Sequence, residues 1–214
     1  MAVHHPTLAG SANRSIMPVA VIFALILFAV WLPPGRPVLW IALATFIAIG
    51  VFSLQGGFSA QQLGLANLTA GLPEILTASA VLACMVAVAG LFTRSIGPAV
   101  VVPWHRAWQY AVWAMIQEFM LQSFFFVRLE AMLGGRKAVW AAAGLFALPH
   151  IPSPLLTVLS FCGALFFCEM FRRYRNIFPL GFAHAALGLT VAASFPDQIL
   201  HHMRVGMGFL MYHV

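Results

Sequence analysis

The stretch Met115-Ile116-Gln117-Glu118-Phe119-Met120-Leu121-Gln122-Ser123 places one carboxylate and two amides in the middle of an apolar run that extends from Trp104 to Arg128. On a helix, Glu118 and Gln122 are four apart and share a face. Gln117 lies about 100° round from Glu118, so the three form a polar wedge on a helix otherwise rich in Phe and Leu. An ionisable side chain inside an apolar span is costly and faces a cavity or a partner. Two roles fit the wedge. It can supply a carboxyl that activates water beside a neutral histidine, or it can clamp neighbouring helices by hydrogen bonds.

The rest of the chain has the composition that such a helix requires. Its 214 residues are 62% hydrophobic and 7% charged, against about 25% charged in an average soluble chain. That excludes a water-soluble domain and implies one all-α integral membrane domain, a polytopic transmembrane helical bundle spanning residues 1–214. The net charge of +6 has a source other than nucleic acid, because cytoplasmic loops of membrane proteins carry excess Lys and Arg. No nucleic-acid partner is expected. Cys84, Cys162 and Cys168 lie in apolar stretches without CxxC spacing and read as small buried hydrophobes.

Hydropathy predicts seven spans, at Met17–Leu32, Val38–Leu54, Leu72–Phe92, Trp104–Arg128, Ala138 to about Pro149, Leu155–Phe171 and Ile177–Phe195. A tail over Asp197–Val214 adds a short helix, giving about seven to eight membrane segments. Gln55–Gly71 is the longest loop, polar and Gly-rich, with room for an interfacial helix around Ala60–Ala66. With the N-terminus inside, Arg14, Arg128, Arg136, Lys137, Arg172, Arg173 and Arg175 fall on the inner side. Arg36, Arg94, Arg106 and Arg204 fall on the outer side, so the charge bias favours that orientation. Glu169 is expected to pair with Arg172 and Arg173, and Glu130 with nearby Arg128.

Two histidines join the wedge as candidates. His150 ends Phe146-Ala147-Leu148-Pro149-His150, where proline breaks the helix. His184 lies in Gly181-Phe182-Ala183-His184-Ala185-Ala186-Leu187-Gly188. There Gly181, His184 and Gly188 share one face, and the small residues let a neighbouring helix approach closely. One Glu and two His from three spans can form a hydrolytic set or three ligands of a catalytic zinc. Their spacing does not separate these options, and no HExxH directs them to metal. The reading assigns no metal and no cofactor.

In their order and rough spacing, these segments resemble the CPBP family, which contains CAAX prenyl endopeptidases and bacteriocin-processing or immunity proteins. The family's motifs are Glu-Glu-x-x-x-Arg, Phe-x-x-x-His and His-x-x-x-Asn or a small variant. Phe146 to His150 matches the second, and His184 to Gly188 the third, with Gly in place of Asn. The first is matched by Glu118 at its second glutamate, with Gln117 leading and Gln122 at the arginine position. The resemblance covers about residues 104–195 and implies a multi-span endopeptidase acting in or beside the membrane. In that scheme Glu118 activates water, His150 orients it and His184 stabilises the oxyanion, while Gln117, Gln122 and Gly188 contact substrate. The expected partners are membrane lipid and a membrane peptide or protein substrate. The rival expectation is a catalytically silent relative that binds lipid, a peptide or a larger membrane complex. The expected residence is the cytoplasmic (inner) membrane of a bacterium.

Overall fold

The computed structural model describes residues 15–93 and 101–211, and every regular element among them is a helix. The order is α1 (Met17–Trp31), α2 (Arg36–Gln55), α3 (Leu72–Leu91), α4 (Trp104–Glu118), α5 (Val127–Leu133), α6 (Gly135–Ala147), α7 (Pro154–Tyr174) and α8 (Ile177–Ser194). Two short helices follow, α9 (Asp197–Leu200) and α10 (Gly206–Leu210). A π-helical segment, Phe119–Phe126, joins α4 to α5, so that 30 residues run unbroken from Trp104 to Leu133. Arg14, Arg94, the Gly97-Pro98 break, His4, His5 and His213 lie outside the described residues.

The breaks follow from backbone chemistry. Proline lacks an N–H yet suits the first helical turn, and it stands there in α1, α2, α3 and α7. Asn176 caps α8, its side chain accepting from the Phe178 N–H. α2, α3, Trp104–Leu133, α7 and α8 are long and apolar enough to cross a membrane. α1 has 15 residues and α6 has 13, short of the roughly 20 that a crossing takes. Length therefore supports a helical membrane protein with five spanning-length helices among the described residues, short of the seven to eight segments expected.

The interior is built around the π segment and α5. Residues Leu121 to Leu129 are all buried, with Phe126 packed edge-on to Phe171 at 5.7 Å. Arg128, expected at a loop, is buried within this run. Its guanidinium donates to the Phe124 carbonyl at 3.0 Å and to the Phe52 carbonyl of α2 at 2.7 Å, and it stacks 4.1 Å from the Phe124 ring centroid. A cation over an aromatic face that also bonds a helix C-terminal carbonyl is satisfied without a carboxylate. Glu130 pairs with Arg175 instead.

The Gln55–Gly71 loop forms no helix over Ala60–Ala66. Ser59 and Gln62 bond reciprocally, each backbone N–H to the other's side chain, and start a single turn that Gly64 ends at φ +76°. Most of the loop is exposed, yet it is tied to the bundle: the Ser123 hydroxyl donates to the Leu63 carbonyl at 2.6 Å, the Ile177 N–H to the Gly64 carbonyl at 3.1 Å and the Asn176 amide to the Ala70 carbonyl at 3.0 Å. The cysteines need one correction. Cys168 is buried, but Cys84 and Cys162 are exposed on the helix surface; a face that lipid covers accepts apolar side chains as readily as a core does.

Candidate active site

Two helices bring the polar wedge to its partners. Glu118, the last residue of α4, is fully buried, and so is Gln122 one π-helical step on. The Gln122 amide donates to Glu118 Oε2 at 3.0 Å, as the four-residue spacing predicts. His184 of α8 places Nδ1 2.9 Å from Glu118 Oε1. Each carboxylate oxygen thus has one partner, from two different helices. The π-helix widens the turn just after Glu118, a feature often found at functional sites.

Close approach of α4 and α8 makes the pair possible. A Cβ at Gly181 would strike the Met115 side chain, and one at Gly188 would strike the Tyr110 hydroxyl and ring. The small residues at these positions therefore do what their shared face predicts. For Gly188 that means packing under Tyr110, two turns before Glu118 on the same helix. Sequence reasoning passed over Tyr110, because an aromatic near a span end reads as an interface anchor.

Aromatic rings complete the surroundings. The His184 ring stacks on Phe167 at 5.1 Å, tilted 18°, and meets Phe146 edge-on at 5.8 Å. Phe146 also lies 5.2 Å from the His150 ring, so it stands between the two histidines. The phenylalanine and histidine of the second motif act together here: His150 Nδ1–H donates to the Phe146 carbonyl at 2.8 Å. Burial holds the His150 imidazole below its ordinary value of 6.5, opposed by the bond to Phe146 and reinforced by His184 nearby. The ring is therefore neutral at neutral pH, with its proton on Nδ1 and an acceptor lone pair on Nε2.

Gln117 is half-buried and makes no side-chain hydrogen bond among the described residues, so the wedge divides. Glu118 and Gln122 are locked inside, and Gln117 stands apart. Cys168 of α7 lies against Glu118 and Gln122, a neighbour that no motif announced. Among the described residues no three His, Cys, Asp or Glu side chains are grouped to hold a metal ion.

Residues 100–190 match the family model described as type II CAAX prenyl endopeptidase Rce1-like. The match supports assignment to the CPBP family. It takes in all three motifs and spans less than half of the 214 residues. No curated protein and no solved structure matches the chain. The CPBP-like segment begins just before α4 and ends within α8, so it contains Glu118, His150 and His184.

Proposed function

We propose that this CPBP-like membrane protein is an endopeptidase that hydrolyses a peptide bond within or beside the membrane. One observation carries the reading: the buried bond between Glu118 and His184, which joins two helices beside a neutral His150. In this scheme Glu118, oriented by Gln122 and His184, is the carboxyl that takes the proton of the attacking water and returns it to the amine nitrogen as the peptide C–N bond breaks. His150 accepts a hydrogen bond from that water at Nε2. His184 supports the oxyanion as it develops, the preorganised kind of stabilisation that is usually the largest catalytic contribution. Gln117, half-buried beside Glu118, offers its amide to the substrate backbone. The N-terminus-inside orientation belongs to the same reading through the loop charges, and residence in a bacterial inner membrane through the family resemblance.

The test is N-terminal peptide profiling of host membranes from wild type, Glu118→Gln and His184→Ala at matched protein levels. Neo-N-termini present in wild type and lost from both variants are the expected result. Identical profiles from folded variants would reject an enzyme. A silent relative that binds a membrane peptide or a complex is the second reading. It draws on Gln117, which cannot act as a base, and on Gly188, whose face is filled by Tyr110. Gln117→Glu bears on the second reading: cleavage gained over a silent wild type marks a decayed enzyme, and a profile that stays silent favours binding or a different chemistry.

A further inference from the structure

Two turns that are distant in sequence meet at one end of the bundle, opposite His150. A Cβ at Gly135 would lie 3.2 Å from the Arg172 Cδ and 3.3 Å from Glu130 Oε1, and Glu130 pairs with Arg175. The α5–α6 turn and the C-terminus of α7 therefore form one surface. It carries Arg136, Lys137, Arg172, Arg173 and Arg175.

The carboxylates on this surface are already engaged. Glu169 accepts from Arg172 twice, at 2.8 Å each, and from Arg173 at 2.6 Å, while Glu130 takes Arg175. Arg136 and Lys137 are exposed and form no ion pair among the described residues. The surface thus keeps a positive excess with two free cations on the first turn of α6.

What lies beneath the cations selects their partner. Trp140 follows Arg136 by four residues and Lys137 by three, so all three share a face, and Trp140 is 62% exposed. Indole rings favour the headgroup level of a bilayer. The Trp140 ring contacts Phe161 of α7 at 6.1 Å. From Phe161 an apolar groove of about 420 Å³ runs between α6 and α7, past Gly144, Ala147 and Val158. Lys137 and Gly144 are seven residues apart on the helix, about 10 Å, a separation suited to a headgroup above and an acyl chain below.

We propose that this surface is a binding site for one anionic phospholipid, its phosphate on Arg136 and Lys137 and an acyl chain in the α6–α7 groove. A free phosphate ion has no use for the apolar groove, and a zwitterionic lipid has no use for the cation excess.

The experiment uses the full chain in nanodiscs that contain phosphatidylglycerol and phosphatidylcholine in equal amounts. Native mass spectrometry after release counts the retained lipids. Wild type is expected to keep one phosphatidylglycerol in preference. Arg136→Gln/Lys137→Gln is expected to lower that preference by roughly ten- to thirtyfold, from the typical worth of two cations at an anionic surface. Gly144→Leu fills the groove at a position with no atom within 4 Å of its Cβ, and is expected to loosen the same lipid without touching a charge. Equal retention of the two lipids by wild type overturns the site, as does unchanged preference in the charge variant. Release of the lipid by inorganic phosphate alone, with Gly144→Leu behaving as wild type, also overturns it, by showing a site for a free anion.

Discussion

Gly181 and Gly188 show how much the identity of a neighbour matters for the same missing methyl group. At Gly181 the obstruction is chiefly the end of Met115, a thioether that turns aside easily. At Gly188 it is the Tyr110 phenol, a rigid ring held against α8. Gly181→Ala is therefore expected to cost less than about 1 kcal/mol, and Gly188→Ala about 1–3 kcal/mol, read by thermal unfolding in one detergent. Combining Gly188→Ala with Tyr110→Ala should cost clearly less than the sum, since the two residues share the contact. Additive costs would show that Tyr110 is not what keeps position 188 small. His150 supplies a second expectation. Its imidazole titrates below the ordinary 6.5 because of burial, so below that pH the unfolded chain binds a proton that the folded chain resists. Stability from this source is present above about pH 6.5 and lost as the pH falls through the depressed value. A His150→Phe variant should flatten the decline in melting temperature between about pH 7 and 5; a decline equal to that of wild type would contradict the burial argument.

At the scale of elements, the α7–α8 turn and the Gly-rich loop stabilise each other through Asn176. Its side-chain oxygen caps α8 and its amide bonds Ala70. Asn176→Ala should cost about 1–2 kcal/mol for the cap and speed amide exchange across residues 59–71. Asn176→Asp keeps the cap oxygen but loses the donor, so it should loosen the loop while sparing much of the stability. Equal exchange in both variants and wild type would mean that the bonds from Ser123 to Leu63 and from the Ile177 N–H to Gly64 hold the loop without Asn176. The helices were legible because apolar runs and proline breaks are local signals. The Glu118–Gln122 bond and the common face of Gly181, His184 and Gly188 were legible for the same reason, being matters of helical spacing. The π-helical segment was not, since Phe119–Phe126 has the composition of an ordinary apolar helix and its widening reflects packing around it. Glu130 was matched to its neighbour Arg128, when the partner was Arg175, 45 residues away; charge proximity in sequence says little once two turns meet. The bonds that tie Leu63, Gly64 and Ala70 to the bundle were hidden likewise, because their partners Ser123, Ile177 and Asn176 lie far along the chain.

For the molecule as a whole, the Glu118–His184 pair poses the question of why a helical membrane bundle keeps ionisable groups at its centre. If the pair is only a clamp between α4 and α8, its removal should weaken the bundle however it is done. If it is kept for chemistry, physics predicts a different pattern. Taking one partner away leaves a buried polar group unpaired, and for a charged pair that costs about 3–5 kcal/mol. Replacing both by apolar residues of similar volume removes the desolvation penalty together with the attraction, and is often neutral or stabilising by about 1–4 kcal/mol. Phe167 already stacks on His184 and Phe146 already meets its edge, so a phenyl ring at 184 has ready partners. Glu118→Met and His184→Phe are each expected to lower stability. Gln122 is buried and bonds Glu118, so the variant that leaves no buried polar group behind is Glu118→Met/Gln122→Leu/His184→Phe, which is expected to regain or exceed the wild-type melting temperature. Profiling the same triple variant for neo-N-termini completes the test. A stable triple variant without cleavage locates the reason for the pair in catalysis, whereas a triple variant weaker than either single one makes the pair a structural clamp.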